Sequence, residues 1–233
     1  MLKQALVAVS VALFMTACAD MGSTRSSSAS TSPAPSSSAS GSTASSSTAS
    51  SKPAAVKRDR LENIALVWKP TTDTAKLRVM DLTAMTNTKV QINKLSDKRP
   101  NPGYIGENSE EQPIRKVSTP DDVAGFVTEH MKRLTASAGI PVVDSGGTAI
   151  VNGELLQFFT QETDTYRGDV QMKITVTDTA GKVRWTGMTS GGSTRFGRSY
   201  KAENYYESLS DALIEAMYNL LQNADFRKAL ASN

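Results

Sequence analysis

Apolar residues recur at every second position through Val170, Met172, Ile174 and Val176, the clearest alternation in the chain. The turn Asp178-Thr179-Ala180-Gly181-Lys182 then leads to Val183 and Trp185, so 169–190 predicts a β-hairpin with one buried face. Ile150 to Phe159 predicts another strand, as do Ile64–Trp68, stopped by Lys69-Pro70, and the alternating stretch Thr88–Leu95. The loop Asp97–Gly103, rich in Pro and Asn, ends that stretch, and Ile114–Val117 reads as a short edge strand. Helical spacing replaces alternation at Val123, Phe126, Val127, Met131 and Leu134. Thr119 is the expected N-cap there, with Pro120 in the first turn and Gly139 and Pro141 as the stop. A second stripe runs through Tyr206, Leu209, Leu213, Ala216, Met217 and Leu220, and a short helix follows at 224–230. This order predicts an α+β fold: a mostly antiparallel sheet packed against two main helices as a two-layer α/β sandwich.

The N-terminal part follows a different rule. Residues 21–55 hold 16 Ser, 7 Ala, 4 Thr and 3 Pro, a composition too poor in apolar surface to offset the entropy of ordering. It predicts a disordered tether with a root-mean-square reach of about 30–35 Å. Ahead of it, Lys3 precedes an apolar run from Ala5 to Met15 that is interrupted only by Ser10. That run is half the ~20 residues a membrane-spanning helix needs, and it suits a signal peptide. Met15-Thr16-Ala17-Cys18 then looks like a bacterial lipobox, with Met15 where Leu is usual and the chain's single cysteine as the acceptor of lipid. A thiolate is the side chain suited to alkyl transfer. Ala17-Cys18-Ala19 also satisfies the small-x-small rule of ordinary secretion, and an uncleaved anchor is a third reading. The expected organisation is a signal peptide over 1–17, a lipidated Cys18 with its tether over 18–56, and a periplasmic domain over 57–233. Two or more acyl chains would hold such a protein at a membrane. Ala19 rather than Asp after the cysteine favours the outer membrane, by resemblance to enterobacterial sorting.

Composition narrows the chemistry. The chain carries a formal charge of +3, and only +1 of it falls in 57–233, which leaves no field for nucleic acid. One histidine and one cysteine cannot build a Cys/His metal site; a carboxylate-only Ca²⁺ site is the alternative left, no Asp-x-Asp-x-Asp-Gly loop appears for it, and the expectation is no metal and no cofactor. His130 falls at the edge of its helix's apolar stripe and lacks a nucleophile partner in the sequence. Ser145-Gly146-Gly147 and Ser190-Gly191-Gly192-Ser193 lack the Lys-Ser/Thr ending of a phosphate loop and read as turns or bulges. Glu107, Glu110 and Glu111 read as a solvated loop cluster. No catalytic residue is expected. Arg195, Arg198 and Lys201 alternate with Phe196, Tyr200, Tyr205 and Tyr206 on a strand-to-helix connection. That mixture suits a glycan, a lipid headgroup or a partner protein, and the tyrosines equally suit closure of the core.

The order of features has a counterpart. Val90-x-Ile92, Asp97-x-Arg99, Ile105-Gly106, the helix ending at Gly139, the hairpin, and Tyr205-x-x-Ser208-Leu209-x-x-Ala212-Leu213 together resemble the YajG-type family of bacterial lipoproteins over about 62–231. The resemblance implies an outer-membrane-anchored α/β domain and supplies no catalytic residue. Asp97 and Arg99 match its strand-end motif and read first as a structural clasp, then as a partner-binding loop. Asp97, Arg99, Arg195, Arg198 and Tyr205 are therefore the candidate partner-binding residues, beside Cys18 as the lipidation site. The expected role is a binding or assembly module facing an envelope or peptidoglycan-associated partner. The alternatives are a regulator that reaches peptidoglycan synthases through its tether, by analogy of architecture with Trp185-Thr186-Gly187, and a purely structural envelope protein.

Overall fold

The computed structural model describes residues 61–231 apart from 80–84, 86–87 and 111. The elements run in the order β1 (Val90–Ile92), β2 (Ser96–Asp97), β3 (Tyr104–Asn108), β4 (Arg115–Ser118), α1 (Val123–Ser137), β5 (Val142–Val143), β6 (Ala149–Glu162), β7 (Thr165–Thr177), β8 (Val183–Phe196), α2 (Ala202–Gln222) and α3 (Ala224–Ala231). Strands β6, β7 and β8 form a long antiparallel meander, and β3 pairs antiparallel with β4. Along its other edge β6 takes three short parallel partners in turn: β1 at 149–151, β2 at 154–155 and β3 at 160–162. The sheet is thus open and mostly antiparallel, with the helices packed against it, as the sequence predicts.

The buried rows explain the layering. Tyr166, Val170, Met172, Ile174 and Val176 of β7 and Val151, Leu155 and Phe158 of β6 face the helices and are buried. Alternate positions on β7, among them Arg167 and Lys173, are exposed on the opposite face. Helix α2 supplies Leu209, Leu213, Met217 and Leu220 to this core, and α1 supplies Val123, Val127, Met131 and Leu134. Helix α2 also approaches β8 closely. A Cβ on Gly191 would lie 2.1 Å from the Ala216 nitrogen and 2.3 Å from the Ala212 carbonyl. The Ser190–Ser193 run is therefore mid-strand rather than a turn, and its glycine makes room for a helix backbone. Gly146, at φ +70°, does serve a bend.

Four local expectations change. Ile64–Trp68 is extended without joining the sheet: the Leu66 N–H donates to Asp121 Oδ2 (2.7 Å) and the Lys69 N–H to Ser210 Oγ (3.0 Å). It is a strap whose Ile64, Leu66 and Trp68 pack on the core. The α1 cap is Asp122, whose Oδ1 accepts from the Gly125 N–H (3.0 Å), because the Thr119 hydroxyl is already taken by the Asp121 N–H (3.1 Å). Strand β3 holds Glu107, which the sequence places in a loop, and Glu111 lies outside the described residues. The hairpin extends to 165–196 because its glycines weaken the apolar alternation without breaking the ladder.

Candidate functional site

The short strands beside β6 leave a gap. Pairing with β2 ends at Asp97 opposite Leu155, and pairing with β3 resumes at Gly106 opposite Thr160. Between them β6 carries a bulge at Leu155/Gln157, while residues 98–103 loop away. A bulge re-aims side chains and interrupts a ladder. Over 156–159 the β6 backbone therefore has no strand partner on this side among the described residues. A groove of about 390 Å³ opens there, lined by Asn101, Tyr104, Glu107, Lys116, Gln157 and Phe159, among others. The Lys116 ammonium lies 4.5 Å from the centre of the Tyr104 ring, and Gln157 Nε2 donates to Asp169 Oδ2 (3.0 Å). Aromatic walls beside amide, ammonium and carboxylate groups can hold an amphipathic ligand.

Asp97 and Arg99 fix the rim of this groove. Arg99 Nε donates to Asp97 Oδ1 (3.0 Å) and Nη2 to Oδ2 (2.8 Å), a two-pronged pair. The same guanidinium reaches the carbonyls of Tyr104 (3.0 Å) and Pro102 (2.6 Å), which closes the loop on itself. Partial burial works against the Asp97 charge, but the bonds from Arg99 outweigh it and hold the carboxyl below its ordinary range. Arg99 is buried with a bond from each of its three guanidinium nitrogens, and this geometry is a clasp.

The other candidates separate into an inner and an outer set. Tyr205 is fully buried and donates to Glu162 Oε2 (2.7 Å), so it is a core residue rather than part of a binding surface. Burial pushes its phenol far above the ordinary value, with the Glu162 bond adding to the effect. Glu162, itself fully buried, also accepts from Tyr166 Oη (2.6 Å) and from the Tyr200 N–H (2.9 Å). Three donors on one carboxylate satisfy a group that would be costly to bury alone. They also hold Tyr200 at φ +42°, a conformation rare for a bulky residue. Arg195 pairs with the buried Glu207, which Lys69 also meets at 3.0 Å. Arg195 and Phe196 belong to β8 rather than to the connection. Arg198 stays on the surface, 3.3 Å from Glu110. Cys18 lies outside the described residues.

Sequence reasoning misses Glu162, Glu207 and the groove wall. Glu162 had a signal: it continues the parity of Phe158 and Thr160, so a carboxylate occupies a core-facing position of β6. His130 is more enclosed than a boundary position. It stacks on Trp68 (4.0 Å, 12°) and tilts against Phe126 (4.4 Å). Burial, helped by Arg133, lowers its pKa to about 4. Among the described residues no group of His, Cys, Asp and Glu is placed to hold a metal, and no helix is long and apolar enough to cross a membrane.

No family model matches the chain, and no curated protein matches it. Solved structures show a distant likeness. Protein XCC0632 from Xanthomonas campestris, of the DUF330 family, is 8% identical at a TM-score of 0.44, covering 57% of this chain and 81% of that one. A putative lipoprotein from Caulobacter crescentus is 9% identical at a TM-score of 0.40, over 69% of this chain and 100% of that one. Lipoprotein GNA1162 from Neisseria meningitidis is 12% identical at a TM-score of 0.31, over 46% and 83%.

Proposed function

We propose that this protein is a bacterial envelope lipoprotein of the YajG type, acylated at Cys18 and held at the outer membrane with its domain in the periplasm. The domain acts as a binding or assembly module rather than as a catalyst. The observation that carries the binding role is the gap beside β6. There a bulge and a clasped loop leave a stretch of strand edge open beside a groove with both aromatic and charged walls. Unpaired strand backbone and mixed side chains are what an extended or polar partner segment uses for recognition. The anchor reading rests on the Met15-Thr16-Ala17-Cys18 sequence.

Two measurements test the halves separately. Alkyne-palmitate should label the wild-type chain in cells, and Cys18→Ala should abolish the label; equal labelling of both would remove the anchor. A photo-crosslinking residue at Asn101, on the exposed rim of the groove, should give a discrete adduct in cells that the same residue at Ala180 does not. If both positions yield the same faint background, the domain is a structural envelope component instead. An adduct with a peptidoglycan synthase would select the regulatory alternative.

A further inference from the structure

The groove beside β6 is restricted in what it can hold. Its open edge runs over residues 156–159, about 13 Å of strand, and is shut at one end by β2 opposite Leu155 and at the other by β3 opposite Thr160. Leu155 has already given its carbonyl to the Lys98 N–H (2.8 Å), and the Glu162 carbonyl takes the Ser109 N–H (2.9 Å). Backbone groups alternate between the two edges of a strand. Counting back from Glu162 through Thr160, Phe158 is therefore the residue that points its N–H and C=O into the gap. An added peptide strand needs a run of such residues. One residue between two fixed strands does not provide it.

The side chains narrow the choice further. Phe159 faces the opposite way to the buried Phe158 ring, on the side of the sheet away from the helices. There it pairs with Asp169 and lies between Gln157 and Gln161 on its own strand. The Phe159 ring is half-buried and forms an apolar platform on a face otherwise made of amides and charges. Glu107 and Lys116 are direct partners across β3 and β4, so their charges cancel, and Arg99 is committed to Asp97. The groove thus has no net charge with which to select an ion. Its volume of about 390 Å³ is at the small end of ligand sites and suits a short stretch of a chain rather than a folded surface.

We propose that the ligand of this groove is an N-acetylated oligosaccharide. The proposal rests on the groove reading above and names what the groove binds. An acetamido group is a single peptide-like unit, so it pairs with the Phe158 N–H or C=O without needing a ladder. The C–H face of a pyranose ring is apolar and buries against Phe159, while its hydroxyls meet the Asn101, Gln157 and Glu107 side chains that line the groove. A neutral sugar also suits charges that already cancel.

The test titrates the full chain with chitotetraose by calorimetry, in a detergent without a sugar headgroup. Cellotetraose, which has a hydroxyl where each acetamido group stood, should bind about ten-fold more weakly, the worth of one hydrogen bond. Phe159→Ala should also weaken chitotetraose about ten-fold through the lost platform. Asn101→Ala, at an exposed loop position, should weaken it several-fold and decides the matter if Phe159→Ala fails to fold. In cells, the adduct from a photo-crosslinker at Asn101 should contain amino sugar by mass spectrometry. Absence of saturable heat, equal affinity for the two sugars, or chitotetraose binding that ignores both substitutions overturns the proposal. If a discrete adduct with a protein still forms at Asn101, the sugar alone is wrong and the groove is a protein site. If no adduct forms either, the groove reading fails with it.

Discussion

His130 should make the domain acid-sensitive in a window above the one in which Asp97, Asp122 and Asp164 titrate. The ring is 5% exposed, lies between Trp68 and Phe126, and its Nδ1 has no hydrogen-bond partner among the described residues. Burial lowers its pKa from 6.5 to about 4. The unfolded chain therefore takes up the proton first. The stability tied to the neutral ring is fully present above pH ~6.5, falls as the pH drops, and stops falling below pH ~4, where both states are protonated. From pH 7 to pH 5 the loss is about 2 kcal/mol, and it approaches about 3 kcal/mol near pH 4. Asp97, Asp122 and Asp164 all lie below the ordinary carboxylate value, so their contributions vanish only at still lower pH. With a urea slope of about 2 kcal/mol per molar, the unfolding midpoint should drop by about 1 M between pH 7 and pH 5. Tryptophan fluorescence reports it, since Trp68 touches the ring. His130→Phe keeps an aromatic group in the stack and removes the titration, so its midpoint should be nearly flat over the same range, whatever its absolute stability. A slope that survives in His130→Phe refutes the assignment, and so does its absence from the wild type.

Removing the clasp with Arg99→Ala should cost about 2–3 kcal/mol in urea unfolding, because Asp97 and two carbonyls lose their donors. Arg99→Lys should recover less than half, since an ammonium cannot make the two-pronged pair. Gly191→Ala should cost more than about 3 kcal/mol or prevent folding, since its Cβ would meet the α2 backbone at 2.1 Å, whereas Gly103→Ala meets nothing within 4 Å and should melt as the wild type does by circular dichroism. Tyr205→Phe should lower stability by about 1–2 kcal/mol through loss of the bond to Glu162, with the fold intact by the same measure.

The layers were legible because they rest on local periodicity. Val170 to Val176 alternate on a strand with one buried face, and Val123 to Leu134 repeat on a helix with one buried stripe, so each segment states its own geometry. Ile64–Trp68 shows the limit of that logic. It has strand-like composition, but its Ile64 N–H reaches only the Ser118 carbonyl at the end of β4, its Leu66 N–H goes to the side chain of Asp121 and the following Lys69 N–H to that of Ser210, which no local pattern specifies. The groove was illegible for a similar reason. It exists because β2 and β3 pair with β6 on either side of residues 156–159, and register between segments some 55 positions apart leaves no trace in either one. Asp97 and Arg99 were visible as a pair, while Tyr104, Lys116 and Phe159 join them only through the fold.

The mixed basic and aromatic stretch from Arg195 to Tyr206 resolves once Glu162 is taken as its fixed point. A buried carboxylate at the end of β6 needs donors, and the segment supplies them with Tyr200 N–H and Tyr205 Oη, while Tyr166 comes from the neighbouring strand. Tyr205 then lies against Gly106, where a Cβ would come within 2.7 Å of its ring, so β3 is held beside α2. Phe196 and Arg198, which precede the inward-drawn Tyr200 and Tyr205, stay outside. A single buried carboxyl group thus sorts one composition into a core half and a surface half. It also ties the surface end to β3, whose Glu107 lines the groove. The position of the groove relative to that surface end is thus set through Glu162, Tyr205 and Gly106, all of which are buried.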